Sequence, residues 1–212
     1  MKLYRHYKNK PYKYVGLARH SETGEEVVIY ETLYESPGGK VWVRPKTMFH
    51  ENIEHEGRTR PRFAPVEFAI EETPDVADQD ILAIAGLMKN ALGAWDESAF
   101  RKKLADHRGH HLLTAKVEGQ AVGFKLGYER NEETFYSWLG GARGDFRGLG
   151  IANALMGAQH AWAKMRGYKT IETKTKNRFR AMLILNLRHG FEVVAIETAG
   201  GQEPKIVLRK TL

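Results

Sequence analysis

The spacing of apolar positions divides the chain into strand-like and helix-like stretches. Tyr12 to Arg19 and Val27 to Tyr34 are β-branched and aromatic runs on either side of the turn-forming Ser21-Glu22-Thr23-Gly24. Val41-Trp42-Val43 follows Ser36-Pro37-Gly38-Gly39, and together these runs predict a small antiparallel meander. The stretch Glu54 to Pro65 has neither period and carries Gly57, Pro61 and Pro65, so residues 57–65 read as a linker between a β-rich domain, 1–56, and a larger domain, 66–212. In the larger domain, Phe68 to Ile70 reads as a short strand. Thr73-Pro74-Asp75 opens a helix running to about Leu92, and Asp96 caps another through Leu104. Leu112 to Val117 and Ala121 to Tyr128 pair across Glu118-Gly119-Gln120, and Thr134 to Gly141 adds a third antiparallel strand after Asn131-Glu132-Glu133. At Gly150 the period changes: Ile151, Leu155, Ala158, Trp162 and Met165 form the stripe of an amphipathic helix that stops at Gly167. Lys169 to Thr175 is a strand, Arg180 to Leu187 a helix ended by Gly190, and Glu192 to Glu197 with Lys205 to Arg209 a last hairpin. The order of elements is that of an α/β (α+β) fold.

Composition removes whole classes of function. The 212 residues contain no apolar run able to span a bilayer, and the first eight lack the apolar stretch of a signal peptide, which implies a cytosolic protein. The absence of cysteine excludes a disulfide framework, a thiolate metal site and a cysteine nucleophile. Net charge is +7, shared almost evenly: 12 Lys and Arg against 8 Asp and Glu in residues 1–62, and 21 against 18 in residues 63–212. Neither part is basic enough to compel nucleic-acid binding, while a pI near 9.5 suits an anionic ligand.

The most informative segment is Arg147-Gly148-Leu149-Gly150-Ile151-Ala152, placed between a strand and an amphipathic helix. Glycines let backbone N–H groups approach a ligand, and a helix N-terminus adds partial positive charge, so the turn suits a diphosphate. A loop that merely needs a tight turn is the alternative. A dinucleotide-binding turn requires a third glycine where Asn153 stands, and the Gly-Lys-Ser/Thr of a nucleotide-binding P-loop is absent.

At these residues the chain resembles the GNAT superfamily of acyl-CoA-dependent N-acyltransferases. Arg147, Gly150 and Ala152 fill that family's diphosphate motif, and Asn177 through Asn186 to Gly190-Phe191 resembles its later helix motif. The resemblance covers residues 63–212. It implies a mixed, mostly antiparallel sheet flanked by helices. It also implies acetyl-CoA as acyl donor, a primary amine of unknown identity as acceptor, and direct attack without a covalent enzyme intermediate. Backbone groups of Gly148, Leu149, Gly150, Ile151 and Ala152, beside Arg147, would hold the diphosphate. The strand ending at Leu139-Gly140-Gly141-Ala142 would part from its neighbour to hold the pantetheine arm, and Asn177 would face the cofactor. Where many members of the family carry a tyrosine as thiolate acid, four residues before the glycine, this chain has Asn186. An amide cannot supply that proton, so Asn186 either hydrogen-bonds the cofactor or thioester, with water as the proton donor, or is a helix-cap or core-bridging amide. Glu133, Tyr136, Ser137 and His160 are the candidates for a general base, although an acid in a turn such as Glu133 is usually just solvated.

Other segments carry less. His50 and His55 lie about 140 degrees apart on a helix, which does not suit zinc, and His107, His110 and His111 read as loop histidines. Seven bases between Lys164 and Arg180 face only Glu172 and suit either an adenosine 3′-phosphate, a nucleic acid or a solvated face. Trp138 and Trp162 read as core. Tyr4-Arg-His-Tyr-Lys8, Ala18 to Glu25, Val28-Ile-Tyr30, Leu33-Tyr34 and Trp42-Val-Arg-Pro45 with Met48-Phe49 resemble a small, mostly bacterial family of domains of unknown function over residues 1–54. Its aromatic residues suit a barrel-like core or a binding surface. The rival to an enzyme is therefore an acyl-CoA sensor or scaffold whose N-terminal module binds nucleic acid.

Overall fold

The computed structural model describes residues 2–73, 76–92 and 96–212. They form two compact units, Met1–Phe68 with Gly144–Ile151, and Ala69–Arg143 with Ala152–Leu212.

In the first unit the chain runs through β1 (Leu3–His6), β2 (Pro11–Arg19), β3 (Glu26–Thr32), β4 (Val41–Pro45), α1 (Lys46–His50), β5 (Asn52–His55), β6 (Arg58–Pro61) and β7 (Phe63–Pro65). Five of these strands make an antiparallel sheet in the order β4-β3-β2-β1-β7. The β-rich meander is as expected, and among the described residues β4 and β7 are its outer strands. The expected linker at 57–65 is corrected. Glu56 and Gly57, both at positive φ, make the tight turn of the β5–β6 hairpin, and β7 pairs with β1. The polar pattern misleads because its one large apolar residue, Phe63, is 3% exposed and lies face to face with Phe49, ring centroids 4.2 Å apart. Tyr12, Val28 and Tyr30 complete that core.

The second unit contains β8 (Ala69–Thr73), α2 (Asp78–Leu92), α3 (Glu97–Ala105), β9 (Arg108–Val117), β10 (Gln120–Asn131), β11 (Thr134–Ala142), α4 (Ile151–Met165), β12 (Thr170–Lys176), α5 (Arg180–Arg188), β13 (Glu192–Glu197) and β14 (Lys205–Thr211). Their sheet has the order β13-β14-β12-β11-β10-β9-β8, antiparallel except for the β11–β12 pair. This is the mixed, mostly antiparallel sheet expected. Asp96 caps α3 through the Ala99 N–H at 3.0 Å. The expected opening of α2 at Pro74-Asp75 lies outside the described residues.

Alternation along the strands sends side chains to two cores. Phe124 and Leu126 of β10 pack with Ile81, Ile84 and Met88 of α2 and Phe100 of α3. Phe135 of β11 and Ile171 of β12 pack with Met156, Trp162 and Ala163 of α4. Each such burial contributes about 1.5–3 kcal/mol relative to exposure. The α4 stripe holds except at its end, where Met165 is 80% exposed. No helix among the described residues is long and apolar enough to cross a membrane.

Candidate functional site

The parallel pairing of β11 with β12 joins Thr134, Phe135 and Tyr136 to Thr170, Ile171 and Glu172, and then stops. Beyond it the Thr173 hydroxyl donates to the Ser137 carbonyl at 2.8 Å. The β11 register against β10 steps from Gly127–Ser137 to Leu126–Leu139, leaving Trp138 as a bulge at the point where the strands part. β12 meanwhile keeps its ladder with β14 through Lys176. The pair therefore opens as a V, with Leu139 and Gly140 along the opened edge of β11 and Ala142 at its end, where it pairs with Gly123 of β10.

Beyond Ala142 the chain enters a 3₁₀ turn, Gly144–Phe146, and then the glycine loop that starts α4 at Ile151. Gly148 and Gly150 both have positive φ, +78° and +74°. Leu149 and Ile151 are buried, while Arg147 and Gly148 are exposed. The loop is anchored within the first compact unit. Arg5 pairs with Asp145 at 3.6 Å and lies 4.5 Å from the centre of the Phe146 ring. A Cβ added to Gly148 would stand 3.3 Å from the Leu33 carbonyl oxygen and from Pro11 Cγ, a tight fit, and the φ of +78° favours glycine there. The turn thus presents backbone, not side chains, ahead of Ala152 and the rest of α4.

Asn177 is exposed in the turn that ends β12. Asn186, on α5, is 2% exposed, and its main-chain oxygen accepts from the His189 and Phe191 N–H groups.

Glu133 is placed away from the opening. It occupies the exposed hairpin turn before β11, at the closed end of the V, where its N–H donates to Asn131 Oδ1 and its carbonyl receives the Lys169 and Thr170 N–H groups. Seven residues of strand separate it from Gly140, about 23 Å. Of the other candidates, Tyr136 is buried and its phenol is pushed up by that burial. Ser137 is 2% exposed. His160 is pushed down to about 3, by burial first and then by Lys210, Lys125 and His189.

That last group was not singled out from the sequence. Lys125 is 7% exposed at the centre of β10, alongside Gly140 of β11. The readable signal was a lysine set between Phe124 and Leu126 with Gly123 and Gly127 outside them, in a strand covered on both faces.

The remaining candidates settle into structure. His111 is fully buried and stacks on Trp162 at 3.7 Å, and burial, then Arg166, pushes it down to about 4, so the nearby Glu72 meets a neutral ring. His107 packs on Tyr128 at 3.9 Å, and Trp138 stacks on Phe100 at 5.0 Å. His50 ends α1 and His55 lies in β5, so no single helix carries both. In the basic run, Lys174 pairs with Glu197 and Arg178 with Glu203, while Glu172 holds Arg130 and Arg209.

Comparison with known proteins fits this geometry. Residues 49–177 match the model of the acetyltransferase (GNAT) domain, and residues 2–65 match a family of unknown function, DUF1653. No curated protein matches the chain. Similar solved structures include Ard1 from Thermoplasma volcanium, at 16% identity and TM-score 0.59, covering 68% of this chain and 97% of that one. The ribosomal-protein-S18-alanine N-acetyltransferase from Escherichia coli aligns at 16% identity and TM-score 0.58, covering 68% and 94%. A GNAT family acetyltransferase from Elizabethkingia anophelis, with acetyl-CoA bound, aligns at 22% identity and TM-score 0.56, covering 68% and 98%. At these identities the likeness is one of fold.

Proposed function

Because the chain belongs to the acetyltransferase (GNAT) family, matching its model over more than half its length, we propose that it transfers an acetyl group from acetyl-CoA to a primary amine by direct attack. The observation that carries this reading is the β11–β12 pair that opens at Trp138 just before a glycine loop and a helix N-terminus. The residues fit the donor. Gly148 and Gly150 keep side chains out of the turn, so N–H groups of residues 148 to 152, with Arg147 beside them, hold the diphosphate. The opened edge at Leu139, Gly140 and Ala142 pairs with the pantetheine arm as a further strand would, and Asn177 sits at the exposed end of β12. When bound, the donor supplies an activated acetyl thioester. The chain orients it against the β11 backbone, where oriented donors favour developing charge on the carbonyl oxygen.

An equilibrium titration with acetyl-CoA, paired with a thiol-release assay across small-molecule and peptide amines, tests this. Saturable binding with turnover on at least one amine is expected. Absence of binding would overturn it, and tight binding without turnover on any amine would reassign the protein to acyl-CoA sensing.

A further inference from the structure

The proposed reaction leaves a thiolate that needs a proton, and Asn186 has none to give. A basic cluster lies on the face of the sheet opposite the one where Phe124 and Leu126 pack. Lys125, between them in sequence, projects to that other face by strand alternation. It stands beside the opened strand: a Cβ added to Gly140 would lie 3.6 Å from Lys125 Cγ and 3.8 Å from its Nζ. Its charge acts on His160 from α4 and His189 beyond α5, and His160 in turn meets Lys210 from β14. Lys210 Nζ is 3.2 Å from His160 Nδ1, the two imidazoles are 5.6 Å apart, and His189 Nε2 meets Asn153 Oδ1 at 2.8 Å. Every charge acting on His160 and His189 is cationic. His160 Nε2 is buried without a partner among the described residues. Lys125 itself is influenced by burial alone, with no carboxylate or acceptor shifting its ionisation. A buried lysine of this kind, without a counter-ion, is costly unless an anion forms beside it.

We propose that Lys125 is the acid that protonates the departing thiolate, giving a proton from Nζ to the sulfur as the carbon–sulfur bond breaks. This rests on the acetyltransferase reading. The acceptor nitrogen forms the amide bond, the electron pair of the broken bond stays on sulfur, and sulfur takes the Lys125 proton. The proton shed by the acceptor nitrogen passes through solvent and restores the ammonium, so the sum is amine plus thioester giving amide plus thiol. Burial holds Lys125 down to about 8, close to the ~8.5 of an ordinary thiol, which suits reversible proton exchange between them.

The test uses the full chain as wild type, Lys125→Met and Lys125→Arg. First, the thiol of bound coenzyme A is titrated by its thiolate absorbance, which needs no acceptor. The wild type is expected to ionise the thiol at a pH about one unit lower than Lys125→Met does. Second, with the best amine of the panel, Lys125→Met is expected to lose about a hundredfold in kcat with acetyl-CoA. Its KM for the donor should stay within about threefold of wild type, and an acetyl thioester of an acidic aryl thiol, whose thiolate needs no acid, should lose far less. Lys125→Arg keeps the charge but not the transferable proton, and is expected to bind the donor while losing kcat. Equal thiol titration in wild type and Lys125→Met would overturn the proposal, as would an equal kcat loss with both donors or full activity in Lys125→Arg. Failure of the wild type to bind acetyl-CoA would instead remove the underlying reading of the site.

Discussion

The two halves of β11 differ in what they are hydrogen-bonded to, and little else. Thr134 to Tyr136 have strand partners on both sides, β10 and β12, and Phe135 is fully buried. From Ser137 onward the β10 ladder continues while the β12 partner has gone, and Trp138 is squeezed out as a bulge. A strand needs both neighbours to be a core strand. Removing one turns the same backbone into a row of donors and acceptors open to a ligand, which is the physics of an edge placed in the middle of a sheet. The closed half fixes where the open half begins, so damage to the two should separate cleanly into loss of fold and loss of ligand.

The largest effect is expected beyond the open half. Gly150→Asp puts a side chain on a backbone at φ +74° and a negative charge in the diphosphate cradle. Affinity for acetyl-CoA should fall by about a hundredfold or more, roughly 2.7 kcal/mol. Calorimetric titration measures it, and unchanged affinity would remove the loop from the site. Gly127→Ala strikes the closed half instead: its Cβ would collide with the Phe135 ring and the Tyr136 carbonyl. A loss of about 1–3 kcal/mol of stability is expected, read as a lower unfolding midpoint, while the protein that remains folded binds acetyl-CoA normally.

Acid should act on the fold of both units. His6 and His111 are held down at about 4, and His160 at about 3, chiefly by burial. The unfolded chain takes up protons near 6.5 where the folded one does not, so stability is full above ~6.5 and falls as pH drops through 4. Thermal unfolding across this range checks the sign, and His111→Phe, which keeps the stack on Trp162, should reduce the slope. Thr173→Val removes the hydroxyl that bridges the V at Ser137 and should cost about 1 kcal/mol. The smallest effect is expected for Arg5→Ala, which releases Asp145 and Phe146 from the first unit's β1. It should weaken acetyl-CoA binding about threefold without lowering the unfolding midpoint by more than a few degrees.

Much of this was legible in the residues, and the exceptions share a cause. Periodicity and turn chemistry located α4, the β9–β10 hairpin and the Asp96 cap because those are local. The glycine loop was legible for the same reason, since Gly148 and Gly150 reveal their backbone conformation by being glycine. β7 and the β5–β6 hairpin were missed because short edge strands rich in Arg and Pro carry no alternation strong enough to see, and Phe63 is identified as core only by its partner Phe49. Lys125 went unnoticed because its meaning depends on Gly140, His160 and Lys210, which lie 15 or more residues away in the chain. Register and long-range pairing hold that information, and neither is written locally.

Amide hydrogen exchange on the intact protein, with and without acetyl-CoA, puts the open edge to the most direct trial. Amides between Ser137 and Gly141 and in residues 148–152 should slow strongly when the donor binds, while those of Thr134 to Tyr136 are already slow and stay unchanged. Equal exchange in the open half with and without acetyl-CoA, at concentrations that saturate binding, would contradict the reading of β11 as a strand completed by its ligand.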